Sequence, residues 1–79
     1  MHVRFYAVGR EIAGQHEYRS AADSVVTLRD DLERSFGPRM AALFDASSLL
    51  FKGERLRIDA IVKFDEQDVV DLLPPFAGG

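Results

Sequence analysis

The residues whose types and order could do chemistry stand at the C-terminal end. Pro74-Pro75-Phe76-Ala77-Gly78-Gly79 is uncharged and follows an alternating stretch, Asp68 to Leu73. Two prolines stiffen the exit from that stretch and push Leu73 toward extended geometry. Two glycines carry no side chains, so backbone there can enter a narrow channel. Six residues reach at most roughly 20 Å. A stiff base, an apolar middle and a bare end describe a probe built for insertion, made of Pro74, Pro75, Phe76, Ala77 and Gly78. The chemistry then falls to the terminal carboxylate of Gly79. A carboxylate is a poor electrophile and needs activation, most naturally as an acyl-adenylate made from ATP. Glycine adds no bulk near the reacting carbon.

The remaining residues offer little side-chain chemistry. Gly9 and Gly14 have the glycine spacing of a phosphate loop, but Gln15-His16 stands where Lys-Ser/Thr is required. His2 and His16 read as surface residues near strand ends. No Ser sits in a nucleophile elbow. Asp65, Glu66 and Asp68 lack the ligand spacing and the glycine of a calcium loop. Lys52 and Lys63 read as single exposed lysines. Cysteine is absent, which removes disulfides, thiolate metal sites and a cysteine nucleophile, and two histidines alone make no metal site. The expectation is no metal and no bound cofactor.

Composition narrows the class further. A chain of 79 residues is one domain at most. The 47% hydrophobic content, with six Phe and two Tyr, is that of a folded domain. Residues 1–40 carry six acids and six bases, whereas residues 41–79 carry seven acids and four bases, which accounts for the net charge of −3. No basic stripe favours nucleic acid. No apolar run approaches the roughly 20 residues of a membrane span. The opening Met-His-Val-Arg-Phe-Tyr starts a strand pattern at once, leaving no room for a signal peptide. A soluble cytoplasmic protein is expected.

These constraints pass to the elements that must position the tail. His2 to Val8 alternates, with Val3, Phe5 and Ala7 on one face and Arg4, Tyr6 and Val8 on the other, predicting a strand. Gly9 ends it, and Arg10 to Gly14 forms a short connection. Gln15 to Ala21 is a plausible hairpin partner. Val25, Leu28, Leu32 and Phe36 form one helical stripe. Ser24 is its candidate N-cap, Thr27 with Asp30 a rival start, and Gly37-Pro38 the stop. Arg39 to Asp45 adds a helical turn, with Leu43 and Phe44 closing the core. Ser48 to Lys52 reads as a strand, Lys52-Gly53-Glu54 as a turn, and Arg55 to Ile58 as a second strand with Leu56 and Ile58 on one face. Asp59 to Gln67 is a loop anchored by Ile61, Val62 and Phe64. Asp68 to Leu73 is the last strand, with Val70 and Leu72 inward and Val69, Asp71 and Leu73 outward. The order predicts an α+β fold, a mixed sheet packed on one main helix, in the sequence of the ubiquitin-like β-grasp. Residues 1–73 form the domain and 74–79 an extended, flexible C-terminal tail. Leu73 and Phe76 are the expected partner interface, as exposed apolar area usually is.

The sequence resembles the MoaD/ThiS group of sulfur carriers, and within it the small subunits of molybdopterin synthase. Val3-Arg4-Phe5-Tyr6-Ala7, then Arg10-Glu11 and Gly14, resembles the first strand and turn of that family. Ser24-Val25 with Leu28 and Leu32 is similar to the start of its helix, and Asp68 to Gly79 matches best. Two departures stand out. Gln67 occupies the glycine of the usual Asp-Gly-Asp turn, where a positive φ would strain it, and Lys52-Gly53 replaces Asn-Gly. The resemblance implies that an activating enzyme of the ubiquitin-activating type uses ATP to adenylate Gly79. A sulfur donor protein would then convert it to a thiocarboxylate, and the tail would enter the large subunit of molybdopterin synthase to deliver sulfur. The chain would not be catalytic alone. The alternatives are a carrier for thiazole or cysteine synthesis, a ubiquitin-like modifier joined to lysines through Gly79, and an interaction module with an inert tail.

Overall fold

The structure, a computed structural model, describes residues 1–57 and 59–75. The element order is β1 (His2–Phe5), α1 (Val8–Ala13), β2 (Glu17–Arg19), α2 (Val25–Phe36), α3 (Pro38–Ala46), β3 (Ser48–Phe51), β4 (Glu54–Leu56) and β5 (Val69–Leu73). The strands form one sheet in the order β2-β1-β5-β3-β4. Among the described residues the β1–β5 pair is parallel and the other three pairs are antiparallel. This is the β-grasp expected from the sequence.

Alternation sets the inner face. Val3, Phe5, Leu49, Val70 and Leu72 point to the helices, each at most 1% exposed. Leu28 and Leu32 of α2 and Met40 and Phe44 of α3 meet them at 0%. Edge-to-face ring pairs close the layer, Phe5 on Phe36 at 5.6 Å and Phe51 on Phe64 at 5.2 Å. Burying each such side chain contributes roughly 1.5–3 kcal/mol.

Helix α2 begins at Ser24, and the rival start becomes part of the same cap. Ser24 Oγ accepts from the Thr27 amide at 3.1 Å, and Thr27 Oγ1 accepts from the Ser24 amide at 3.1 Å. This reciprocal box satisfies two amides that a helix start otherwise leaves without partners. Gly37, at φ 95°, ends α2 and caps α3; a side chain there would be strained. Helix α3 is nine residues long rather than a single turn. Arg29 ties it to α2 through Asp45, with Nε–Oδ1 at 2.6 Å and Nη2–Oδ2 at 2.8 Å.

Two expectations need correction, and the Gln67 turn is settled. Strand β1 stops at Phe5. The chain turns at Ala7 (φ 52°, ψ −125°), so Ala7 is exposed and Val8 opens helix α1. A conformation so rare for a residue with a Cβ costs of order 1–3 kcal/mol and is held by what surrounds it. Ile61 is fully exposed, not a core anchor; Phe64 is buried and Val62 packs half-buried against the core, as expected, and the Phe64 amide donates to the Asp23 carbonyl at 2.8 Å and fixes the loop to the start of α2. Gln67 has no positive φ. Its amide donates to Asp65 Oδ1 and the Asp65 amide to Asp68 Oδ2, both at 2.9 Å, so aspartate side chains build this turn and Gln67 carries no such strain. The expected pairing of Leu56 with Ile58 involves a residue outside those described.

Asp31 of α2 is half-buried at the β2–α2 junction. Ser20 Oγ donates to it at 2.6 Å, Tyr18 Oη at 3.1 Å and Arg34 Nη2 at 3.3 Å. Burial pushes its carboxyl up, but the hydrogen bonds from Ser20, Tyr18 and Arg34 outweigh it and hold the group below the ordinary Asp range. A lowered native value means that the stabilisation is complete above the unfolded-chain value of about 3.9 and is lost as pH falls through the native one. Urea midpoints followed from pH 7 to pH 2 should therefore fall more steeply for the wild type than for Asp31→Asn. The variant starts lower at pH 7, and the gap narrows below about pH 4. Parallel curves would show that Asp31 makes no such contribution.

Candidate functional site: the C-terminal exit

Strand β5 lies at the centre of the sheet, and its end is where the tail begins. Its partners are fixed residue by residue: Val70 opposite Val3 and Phe51, Asp71 opposite Arg4 and Leu50, Leu72 opposite Phe5 and Leu49, Leu73 opposite Ser48. The buried pair Val70 and Leu72 sets the rotation of the strand. Val69, Asp71 and Leu73 consequently lie on the outer face, exposed or half-buried, as alternation predicts.

Asp71 holds this face together. Arg4 Nε donates to Oδ1 at 2.6 Å and Nη2 to Oδ2 at 3.1 Å, a two-point clamp between the parallel strands. Tyr6 Oη adds a bond to Oδ1 at 3.3 Å. Sequence reading missed this network, although Arg4 and Tyr6 at i and i+2 on one strand face, with Asp71 on the outer face of the last strand, were its signal. Helix α1 starts at Val8, which is 36% exposed, and the alternation of residues 2–8 hid that helix.

Beyond Leu73, Pro74 is buried and Pro75 is exposed. Pro74 thus packs as part of the domain, and the exposed chain starts one residue later than the proposed insertion segment. Phe76, Ala77, Gly78 and Gly79 lie outside the described residues, and so does the expected contact of Leu73 with Phe76.

Side-chain chemistry stays sparse. His2 Nδ1 stands 3.3 Å from Glu17 Oε1 on the outer face, remote from any nucleophile. The glycine spacing of a phosphate loop belongs to helix α1, with Gly9 buried inside it and Gly14 its left-handed cap. Among the described residues no group of three His, Cys, Asp or Glu could hold a metal ion. No helix among them is long and apolar enough to cross a membrane. A surface depression of about 620 Å³ lies at the opposite end of the sheet, where Met1, Ala22 and Phe64 meet Asp23, Lys63 and Asp65. It gathers charges of both signs but no paired nucleophile and base.

No family model matches the sequence, and no curated protein matches it. Solved structures do. The solution structure of small archaeal modifier protein 1 from Methanosarcina acetivorans is 20% identical, with a TM-score of 0.77 over 99% of this chain and 94% of that one. The crystal structure of small archaeal modifier protein 1 from Haloferax volcanii is 24% identical, with a TM-score of 0.78 over 100% and 98%. The solution structure of the Haloferax volcanii HVO 2177 protein is 25% identical, with a TM-score of 0.69 over 99% and 84%. At these identities the likeness is one of fold, and it extends over the whole chain.

The two faces of β5 predict opposite responses to a charge. Leu73→Asp, on the half-buried outer face, should cost about 1–2 kcal/mol and keep a cooperative melt. Val70→Asp puts a carboxylate in the core with no partner and should abolish the transition. Circular dichroism melts of the two variants check this, and loss of folding in Leu73→Asp would reverse the face assignment.

Proposed function

We propose that this chain is a ubiquitin-like modifier or carrier that acts through the carboxylate of Gly79 and is not an enzyme by itself. The observation that carries the reading is the exit from β5. The central strand of a β-grasp ends in a buried Pro74 and an exposed Pro75, and the sequence from there to Gly79 holds no charged or bulky polar side chain. A domain with this ending and no convergent catalytic set is suited to presenting a chain end to an enzyme.

The first step is common to every version of the reading. An activating enzyme of the ubiquitin-activating type binds the domain and ATP. The Gly79 carboxylate attacks the α-phosphate, pyrophosphate leaves, and an acyl-adenylate forms. In the modifier version, an amine or thiol then displaces AMP, ending in an amide to a lysine. The two neighbours described as small archaeal modifier proteins favour it. In the carrier version, the persulfide of a sulfur donor protein displaces AMP to give an acyl disulfide, a thiol cleaves its S–S bond to leave the thiocarboxylate and a disulfide on the donor, and the large subunit of molybdopterin synthase takes the sulfur. The resemblance of Asp68 to Gly79 to the ending of the molybdopterin-synthase small subunits, Pro74-Pro75 above all, favours this second reading. Leu73 and Phe76 would supply apolar contact to the partner in both versions.

Removal of Gly79 tests the shared step. It leaves an equivalent carboxylate on Gly78, short by roughly 3.5 Å. Displacements of about 1 Å already cost 10²-fold where reacting groups must be positioned. The deletion should therefore keep the melting temperature and abolish adenylate formation, read by intact mass with activating enzyme and ATP. Normal adenylation of the shortened chain would overturn the reading. With full-length protein, a mass gain that needs a sulfur donor marks the carrier. Bands above 8.8 kDa that survive reducing denaturation mark the modifier.

A further inference from the structure

Strand β2 is an outermost strand of the sheet. One of its edges is used by β1. The Phe5 amide donates to the His16 carbonyl at 2.8 Å, and Met1 and Ser20 exchange bonds at 2.9 and 3.0 Å. Peptide groups alternate in direction along an antiparallel strand. His16, Tyr18 and Ser20 therefore face β1, while Glu17 and Arg19 turn their N–H and C=O away from it. Outside the strand ladders, no backbone hydrogen bond among the described residues uses Glu17 or Arg19. Both residues are exposed.

An open edge is a template for another strand unless something blunts it. Charges on an edge oppose a second copy where like charges meet and favour it where opposite charges meet. Antiparallel pairing about a two-fold axis must bring outward peptide groups opposite one another, which leaves three registers within reach of this strand. An axis at Glu17 sets the two Glu17 carboxylates face to face. An axis at Arg19 does the same to the two guanidinium groups. An axis at Tyr18 sets Glu17 opposite Arg19 of the second copy twice over, on the same sheet face, and lets both residues exchange N–H···O=C bonds. Opposite charges directly across a pair of strands attract, and like charges repel. The side chains are available: Glu17 Oε1 is 3.3 Å from His2 Nδ1, which leaves Oε2, and Arg19 makes no ion pair among the described residues.

From this we infer that β2 is a self-association edge, on which two copies of the chain pair antiparallel about an axis at Tyr18 and join their five-stranded sheets into one. The contact is three residues long on each side, which places it among small, weak interfaces. Strand β1 separates β2 from β5, so the exits at Pro75 stay open on both copies.

Sedimentation equilibrium and amide shifts of the full chain, from about 10 μM to about 1 mM, test the pairing in the range where weak association reads out. The mass should rise toward that of a dimer, with concentration-dependent shifts centred on Glu17 and Arg19. Glu17→Arg and Arg19→Glu should each weaken association at least about tenfold while leaving the circular dichroism spectrum unchanged. Mixing those two variants should restore a dimer, because each then meets its opposite, and the double exchange Glu17→Arg/Arg19→Glu should restore it within one chain. A mass independent of concentration would overturn the proposal. So would association that the single variants leave intact, or a mixture that fails to rescue it.

Discussion

The parallel contact between β1 and β5 is the constraint on which the rest of the molecule depends. Two parallel strands cannot be joined by a tight turn, and the chain between them here supplies every helix and the other three strands. The last strand therefore enters the middle of the sheet, flanked by β1 and β3, with Val70 and Leu72 completely buried. The core is unfinished until residues 69–73 arrive. A change within residues 69–73 therefore strikes the centre of the fold.

Polar groups are distributed by the face on which they fall. The inner face takes the apolar load, and Asp31 is admitted beside it only because Ser20, Tyr18 and Arg34 satisfy its carboxylate. The outer face carries the Arg4–Asp71–Tyr6 network across the parallel pair, near the end where the tail leaves. Neither network contains a nucleophile with a base beside it. Side-chain polarity in this domain positions strands and helices, and that is consistent with reactivity lying at the chain end. The outermost strand β2 turns its unpaired peptide groups and two opposite charges outward, at a distance from that end.

The elements whose local signals agree with their tertiary surroundings were legible. Ser24, the Val25–Leu28–Leu32 stripe and Gly37-Pro38 bounded α2 because caps, period and breaker are all local. The inward pair Val70 and Leu72 was legible because alternation has a period of two and one face must be buried. Alternation misled at Ala7 and Val8, where the pattern continued but the chain turned. It also misled at Ile61, since an apolar residue in a loop carries no periodicity to say whether space remains for it.

By itself the sequence determined the fold class, the main helix, the inward residues of the last strand and the chemical character of the ending, because each follows from residue type and short-range spacing. Only the tertiary structure decided that Pro74 is buried, that Asp31 is half-buried and bonded by Ser20, Tyr18 and Arg34, and that Arg4 and Tyr6 converge on Asp71. Those outcomes join residues far apart in the chain, and no local pattern encodes which strand will lie beside which. For the Asp71 network the physical reason is the parallel β1–β5 pairing, a contact across 67 positions that exists only when the sheet does.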